Sequence, residues 1–393
     1  MPLADRPAGA AARRLLYGAA AGALLYPAAS QLRVRRAARP QTDEWRRLPV
    51  APGGSTMLGL SFRPLQAETF GLDQRAALAR LLGYPYQLIR LPAYWNRIER
   101  EPGRFDTAGL DWMIEAAEQA GKRIIVCLGP VKAFGYPEFF VPGHQLPRPL
   151  PEGELIGPAG HAVLLRAATT FATALVERYR DRQAIVGWQV EHEAVDPLGL
   201  EHSWRLSDAF ALAEVSAVRA ADPARPVLLS GFLPASAPVA LQQWWRTRGQ
   251  GDSLAFAGRA ADIVGIDFYP RHAVLSAAGL TMYLDGSRSS WHRLRLRRVL
   301  ASAAAGDRRV MIAEGQAEPW EAVTTPPSPA GRVMYSCPPE QMIRNYSLAA
   351  RWQRHLPGGL WAYLFWGAEY WLLRASQGDP SYLQAFERVL QES

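Results

Sequence analysis

Two apolar runs in this chain end directly in a carboxylic acid. The stretch IVGWQVEHEAVDP, residues 185–197, finishes in Glu191, His192 and Glu193 before turning at Asp196-Pro197, and RRVMIAEG, residues 308–315, finishes in Glu314. Charged side chains are rarely placed at the end of a buried strand without a partner or a use. Glu193 and Glu314 stand 121 residues apart in sequence, and two carboxyl groups brought face to face are what cleavage of a glycosidic bond requires. One donates a proton to the departing oxygen while the other, ionised, attacks or supports the anomeric carbon. Apolar, aromatic surroundings push the two pKa values apart, and Glu193 as the acid needs a raised one, which the charge of Glu314 would help provide.

The elements that must hold these groups emerge from about Thr56 onward, where short apolar runs alternate with stretches of helical spacing. Eight runs have strand character: MLGLSF (57–62), YQLIRLP (86–92), RIIVCLG (123–129), AIVGWQVEHE (184–193), PVLLSGF (226–232), DIVGIDFYP (262–270), RRVMIAEG (308–315) and GLWAYLFWG (359–367). Between them, Leu164, Ala168, Phe171, Leu175 and Tyr179 recur on one helical face, and FDTAGLDWMIEAAEQAG offers Asp106 or Thr107 to start a helix and Gly121 to end it. Eight strand-helix units predict an α/β fold, a (β/α)8 TIM barrel with long βα loops, over residues 56–393; an open doubly wound sheet shares the periodicity. In such barrels chemistry sits at the carboxyl ends of the strands. Those ends carry Arg90 and Trp95, Glu193, Asp267 and Tyr269, Glu314 and Gln316, and Trp366 and Glu369. Trp95, Trp320, Trp366 and Trp371 read as stacking platforms.

Composition narrows the function further. The 393 residues are 49% hydrophobic and 20% charged, an ordinary globular balance. Of the net charge of +8, residues 1–47 supply +6, from nine arginines against Asp5, Asp43 and Glu44. The basic excess therefore lies outside the barrel region, and no nucleic-acid partner is expected. Arg13 and Arg14 precede an apolar run, Leu15–Ala29, and Arg33, Arg35, Arg36 and Arg39 follow it. Residues 1–30 read as a signal peptide or signal-anchor-like segment and 31–55 as a basic linker, which makes the protein secreted or membrane-anchored. Were the segment an uncleaved helix, the heavier positive charge after it would instead leave the barrel in the cytoplasm. The two cysteines form no disulfide framework.

The strand-end motifs resemble those of the clan A glycoside hydrolases. IRLPAYWNRIEREPGRFDTAGLDWMIEAAEQAGKRIIV is similar to the second-strand region of family 42 and family 35 β-galactosidases and family 5 glycanases, and GWQVEHE, DIVGIDFYP, MIAEGQAEPW and YLFWGAEYW follow in the family's order, between residues 57 and 372. The resemblance implies a retaining β-glycosidase with Glu193 as acid/base and Glu314 as nucleophile. It implies further that Arg90 keeps the nucleophile ionised, that Tyr269 hydrogen-bonds it, and that Trp366 floors a sugar subsite. The family usually has asparagine before the acid/base, where this chain has His192, whose imidazole can donate a similar bond to the sugar 2-hydroxyl.

Other chemistries lack their signatures. The seven histidines show no HxxxH spacing, two distant cysteines make no zinc site, and no GxSxG elbow is present, so neither cofactor nor metal is expected. RLRLRRVL, after Trp291, reads as the solvated face of a barrel helix. The alternative in another functional class is an inactive barrel that binds carbohydrate or acts as a scaffold. Retention of both glutamates favours the enzyme, whose partner would be an oligosaccharide, polysaccharide or glycoside.

Overall fold

All eight apolar runs become strands, and the strands close on themselves. The computed structural model describes residues 30–196, 204–247, 251–287, 289–320 and 331–393, so the signal-like segment lies outside the described residues except for Ser30. The barrel strands are β1 (Met57–Ser61), β2 (Leu88–Pro92), β3 (Arg123–Cys127), β4 (Ile185–Gln189), β5 (Val227–Phe232), β6 (Ile263–Phe268), β7 (Arg309–Gln316) and β8 (Ala362–Trp366). Each pairs in parallel with the next, and β8 pairs with β1. The sheet is thus a closed (β/α)8 barrel and not an open doubly wound sheet.

Closure turns alternate side chains of every strand into the lumen. Leu88, Ile125, Leu228, Ile263, Met311, Ala313, Ala362 and Leu364 pack there as one cluster. Space is tight enough that a Cβ on Gly265 would lie 2.9 to 3.0 Å from Ala313, Leu228 and Ser230. Toward the carboxyl ends the filling changes, and Ser61, Arg90, Gln189, Ser230, Asp267 and Glu314 are buried polar groups stacked on an apolar plug. Burial of that kind is costly unless the groups pair with one another or take up a proton.

The outer layer follows the helical periodicity. Leu164, Ala168, Phe171, Leu175 and Tyr179 all face inward from the helix Ala162–Tyr179. In the helix Ser290–Ala305, Leu296 and Leu300 are buried while Arg293, Arg297 and Arg298 are exposed, as RLRLRRVL predicts. Residues 31–55 are more than a linker. Leu32–Arg35 pairs antiparallel with Leu280–Asp285, Ala38–Pro40 pairs with Arg332–Met334, and Trp45 is buried. Arg271–Ala277 and Leu280–Asp285 form a hairpin just past β6 and, with Leu32–Arg35, a three-stranded outer sheet. Cys127 and Cys337 are both buried and free. Among the described residues no helix is long and apolar enough to cross a membrane.

Candidate active site

The polar layer is organised by Arg90, which β2 delivers fully buried into the lumen. Its Nε donates to Ser61 Oγ on β1 at 2.9 Å, its Nη1 to Gln189 Oε1 on β4 at 3.1 Å, and its Nη2 to Glu314 Oε1 on β7 at 2.7 Å. One planar guanidinium thereby ties three strands to the carboxylate, with the Phe134 ring centroid 4.1 Å from its centre. The hydroxyl of Tyr269, just past β6, donates to Glu314 Oε2 at 2.6 Å. Burial pushes the Glu314 carboxyl above its ordinary pKa, while Arg90 and Tyr269 pull it back toward the ionised form. Neither oxygen of Glu314 lacks a donor.

At the end of β4 the three ionisable residues divide their work. Glu191 is a clamp: it is fully buried, and its oxygens accept the backbone N–H groups of Val131 at 2.9 Å and Lys132 at 2.6 Å. His192 N–H donates to Lys132 O at 2.9 Å, and the Lys132 ammonium donates to the carbonyls of Glu193 at 2.6 Å and Asp196 at 2.9 Å. The loop after β3 and the turn after β4 are therefore stitched into one unit. Glu193 itself adopts a left-handed backbone conformation, φ +42°, which is uncommon away from glycine and turns the chain sharply at this residue. Its side chain is half-buried.

Burial raises the Glu193 carboxyl well above its ordinary pKa, followed by the negative charges of Asp267, Asp196 and Glu138, with Lys132 opposing. The leading charge is thus Asp267, whereas Glu314, which the sequence expects to help, is not among the largest contributors. Asp267 is fully buried on β6, and its own pKa is raised well above the usual range by burial and then by Glu314. Neither Asp267 oxygen makes a well-formed hydrogen bond, although the Ser230 hydroxyl is near enough to favour its ionised form. His192 Nδ1 lies 3.2 Å from Ser230 Oγ, 3.7 Å from Glu314 Oε1 and 4.0 Å from Asp267 Oδ2. Burial, then Arg90 and Lys132, hold the imidazole well below its ordinary pKa, so it is neutral near pH 7. Among the described residues His192, Asp267 and Glu314 bring three donor atoms within 4.8 Å of one another. A cation placed there would compete with Arg90 for Glu314 Oε1.

The aromatic candidates separate into two groups. Trp366 ends β8 with its ring centroid 4.3 Å from the Arg63 guanidinium, which makes paired bonds to both Glu318 and Glu369. Trp320 is 39% exposed and its ring lies 5.1 Å from that of Tyr269. Trp95, by contrast, is fully buried, stacks on Phe171 of the helix Ala162–Tyr179 at 5.2 Å and donates from Nε1 to Glu99 at 2.6 Å. Trp371 is likewise buried and donates to Ala317 O at 2.8 Å. Both are core residues and not platforms: a tryptophan just past a strand end packs outward as readily as it faces the mouth. Sequence reasoning gave no role to Lys132, Arg63, Glu318 or Glu191. Only Glu191 carried a signal, since it stands among the strand-end charges.

Residues 87–212 match the glycoside hydrolase 42 family model, described as beta-galactosidase. That segment includes Arg90 and Glu193 and stops short of Glu314. No curated protein matches the chain. Among solved structures, the chain is similar to the GH5_18 protein of Streptomyces cattleya in complex with GlcNAc, at 14% identity over 86% of this chain and 81% of that one, with a TM-score of 0.54. It is also similar to the exo-beta-1,4-mannosidase Op5Man5 of Opitutaceae bacterium strain TAV5, at 15% identity, TM-score 0.50, covering 81% of this chain and 55% of that one. A third likeness is to the AHE enzyme of Alicyclobacillus herbarius, at 16% identity, TM-score 0.50, covering 82% and 90%. At such identities the likeness shows the fold. The segment match and the closed parallel barrel together bear out the resemblance to clan A glycoside hydrolases.

Proposed function

We propose that this barrel is a retaining glycoside hydrolase acting on β-linked sugars, with Glu314 as nucleophile and Glu193 as acid/base. The observation that carries the reading is the buried Glu314 carboxylate, fixed by Arg90 and Tyr269 at the carboxyl end of the barrel. Glu193 protonates the glycosidic oxygen as Glu314 attacks the anomeric carbon, the aglycone leaves, and a glycosyl ester remains on Glu314. Glu193, now ionised, takes a proton from water, which breaks the ester and releases the sugar with its configuration retained. Double displacement requires the two carboxyl groups about 5 to 5.5 Å apart. The neutral His192 ring, with Nδ1 turned to Ser230, keeps Nε2 for the sugar 2-hydroxyl. Trp320 and the small part of Trp366 left exposed offer ring surface to the C–H faces of bound sugars.

The segment match described as beta-galactosidase favours a β-glycoside as the substrate class. Arg13, Arg14 and the apolar run 15–29 support a secreted or membrane-anchored protein acting on glycans outside the cytoplasm. A panel of aryl β-glycosides tests the reaction: release of the phenol from at least one sugar is the expected result. Binding to a polysaccharide without turnover of any member would replace the enzyme with a carbohydrate-binding scaffold.

A further inference from the structure

The three-stranded outer sheet has one face that the barrel does not cover. Leu280–Asp285 is its central strand, flanked by Leu32–Arg35 and Arg271–Ala277. Register places Val34, Met282 and Leu275 in one row across the sheet, and Leu32 beside Leu284. Because side chains alternate along each strand, Leu32, Val34, Leu275, Leu280 and Met282 share a face. Leu32 is 37% exposed, Val34 46%, Leu275 60% and Leu280 45%. Val274, at the irregularity between Ala273 and Leu275, adds a sixth apolar side chain, 55% exposed. The opposite face carries Tyr283, which is buried against Tyr335. Contiguous exposed apolar side chains of this kind mark a contact surface.

The sequence next to this face says what covers it. The apolar run Leu15–Ala29 ends three positions before Leu32, with Arg13 and Arg14 ahead of it and Arg33, Arg35 and Arg36 in and after the strand. Arg33 and Arg35 alternate with Leu32 and Val34 and belong to the Tyr283 face, while Arg36, just past the strand, is exposed. An apolar strip that ends at Arg36 and is joined to a long apolar segment with Arg13 and Arg14 ahead of it fits one surface: the headgroup boundary of a bilayer containing anionic lipid, which takes apolar side chains a few ångströms deep and attracts guanidinium groups. We propose that this sheet face is a membrane-seating surface, on which the barrel lies against anionic lipid. The inference is independent of the reaction proposed for the barrel mouth.

The test uses the full chain and vesicles of phosphatidylcholine with or without phosphatidylglycerol. Both native cysteines are buried, so Leu275→Cys can be labelled selectively with an environment-sensitive fluorophore. Asp181→Cys, in the exposed turn before β4 at the far end of the barrel, serves as control. Vesicles containing phosphatidylglycerol should blue-shift the label at 275 and expose it to quenching by lipids that carry shallow spin labels, while the label at 181 responds to neither. Val34→Asp combined with Leu280→Asp, confirmed as folded by an unchanged circular dichroism spectrum, should weaken vesicle binding by about tenfold or more. Absence of vesicle binding overturns the proposal. So does quenching at neither position in the vesicle-bound chain, which would mean that residues 1–29 anchor it alone. A blue shift at 275 without vesicles, growing with protein concentration, would assign the face to a second copy of the chain and overturn it equally.

Discussion

Glu314 and Glu193 end two strands of the same barrel, yet the fold holds them in different ways. On β7 the carboxylate itself is gripped: both Glu314 oxygens accept bonds, from Arg90 at 2.7 Å and Tyr269 at 2.6 Å. Past β4 the backbone is gripped, since Lys132 donates to the Glu193 carbonyl and the left-handed turn fixes the Cα, while the Glu193 carboxyl accepts no bond from the described residues. The first arrangement suits a group that must be ionised and stationary. The second suits a group that must hold a proton and pass it on, because burial and the charges of Asp267, Asp196 and Glu138 favour its neutral form. Two identical side chains thus sit in opposite surroundings, donors on one side and carboxylates on the other, which suits the proposed division of roles.

The contrast can be broken most directly at Glu314. Glu314→Ala should lower kcat/KM on every substrate by about 10⁴-fold or more, because in the proposed reaction Glu314 carries the glycosyl ester. A loss of less than tenfold would remove Glu314 from the reaction. Glu193→Ala should cost about 10² to 10⁴-fold on glycosides with poor leaving groups. Aryl glycosides that depart without a proton should keep their first step, giving a burst followed by stalled turnover. Azide should restore turnover in that variant and give a β-glycosyl azide; an α-azide from Glu193→Ala would reverse the two assignments.

The smaller effects sharpen the comparison through the groups between the two acids. His192→Ala should lower kcat/KM on an ordinary β-glycoside by about tenfold, the worth of one hydrogen bond that strengthens in the transition state. On the matching 2-deoxy substrate the loss should be much smaller, and His192→Asn should retain more activity than alanine. Equal losses on both substrates would leave His192 only its contact with Ser230. Asp267→Asn should act mainly on pH dependence. In the proposed mechanism activity requires Glu193 protonated, so the alkaline limb of kcat/KM follows its pKa, which burial and then Asp267 raise. Removing the Asp267 charge lowers that pKa, and the limb should move to lower pH. A limb that stays in place or moves up would show that Asp267 carries no charge while Glu193 titrates.

Periodicity was enough to place all eight barrel strands, and the helix face from Leu164 to Tyr179, because an element between a core and solvent must repeat its apolar residues at its own geometric period. Strand-end position likewise singled out Glu193, Glu314, Arg90, Tyr269 and Trp366, since side chains at that end of a barrel strand can reach the mouth. Pattern alone could not choose between a closed barrel and an open sheet, because both repeat in the same way; only the pairing of β8 with β1 decides it. Nor could it say which way a residue beyond a strand turns. Trp95 packs outward on Phe171 while Trp320 lies against Tyr269. The charge that acts on Glu193 also depended on the fold, because Asp267 is 74 residues away in sequence and becomes its leading charged neighbour only when the barrel closes. Local sequence sets what each element buries, whereas contacts across the lumen, and the pKa values they control, exist only after distant strands have met.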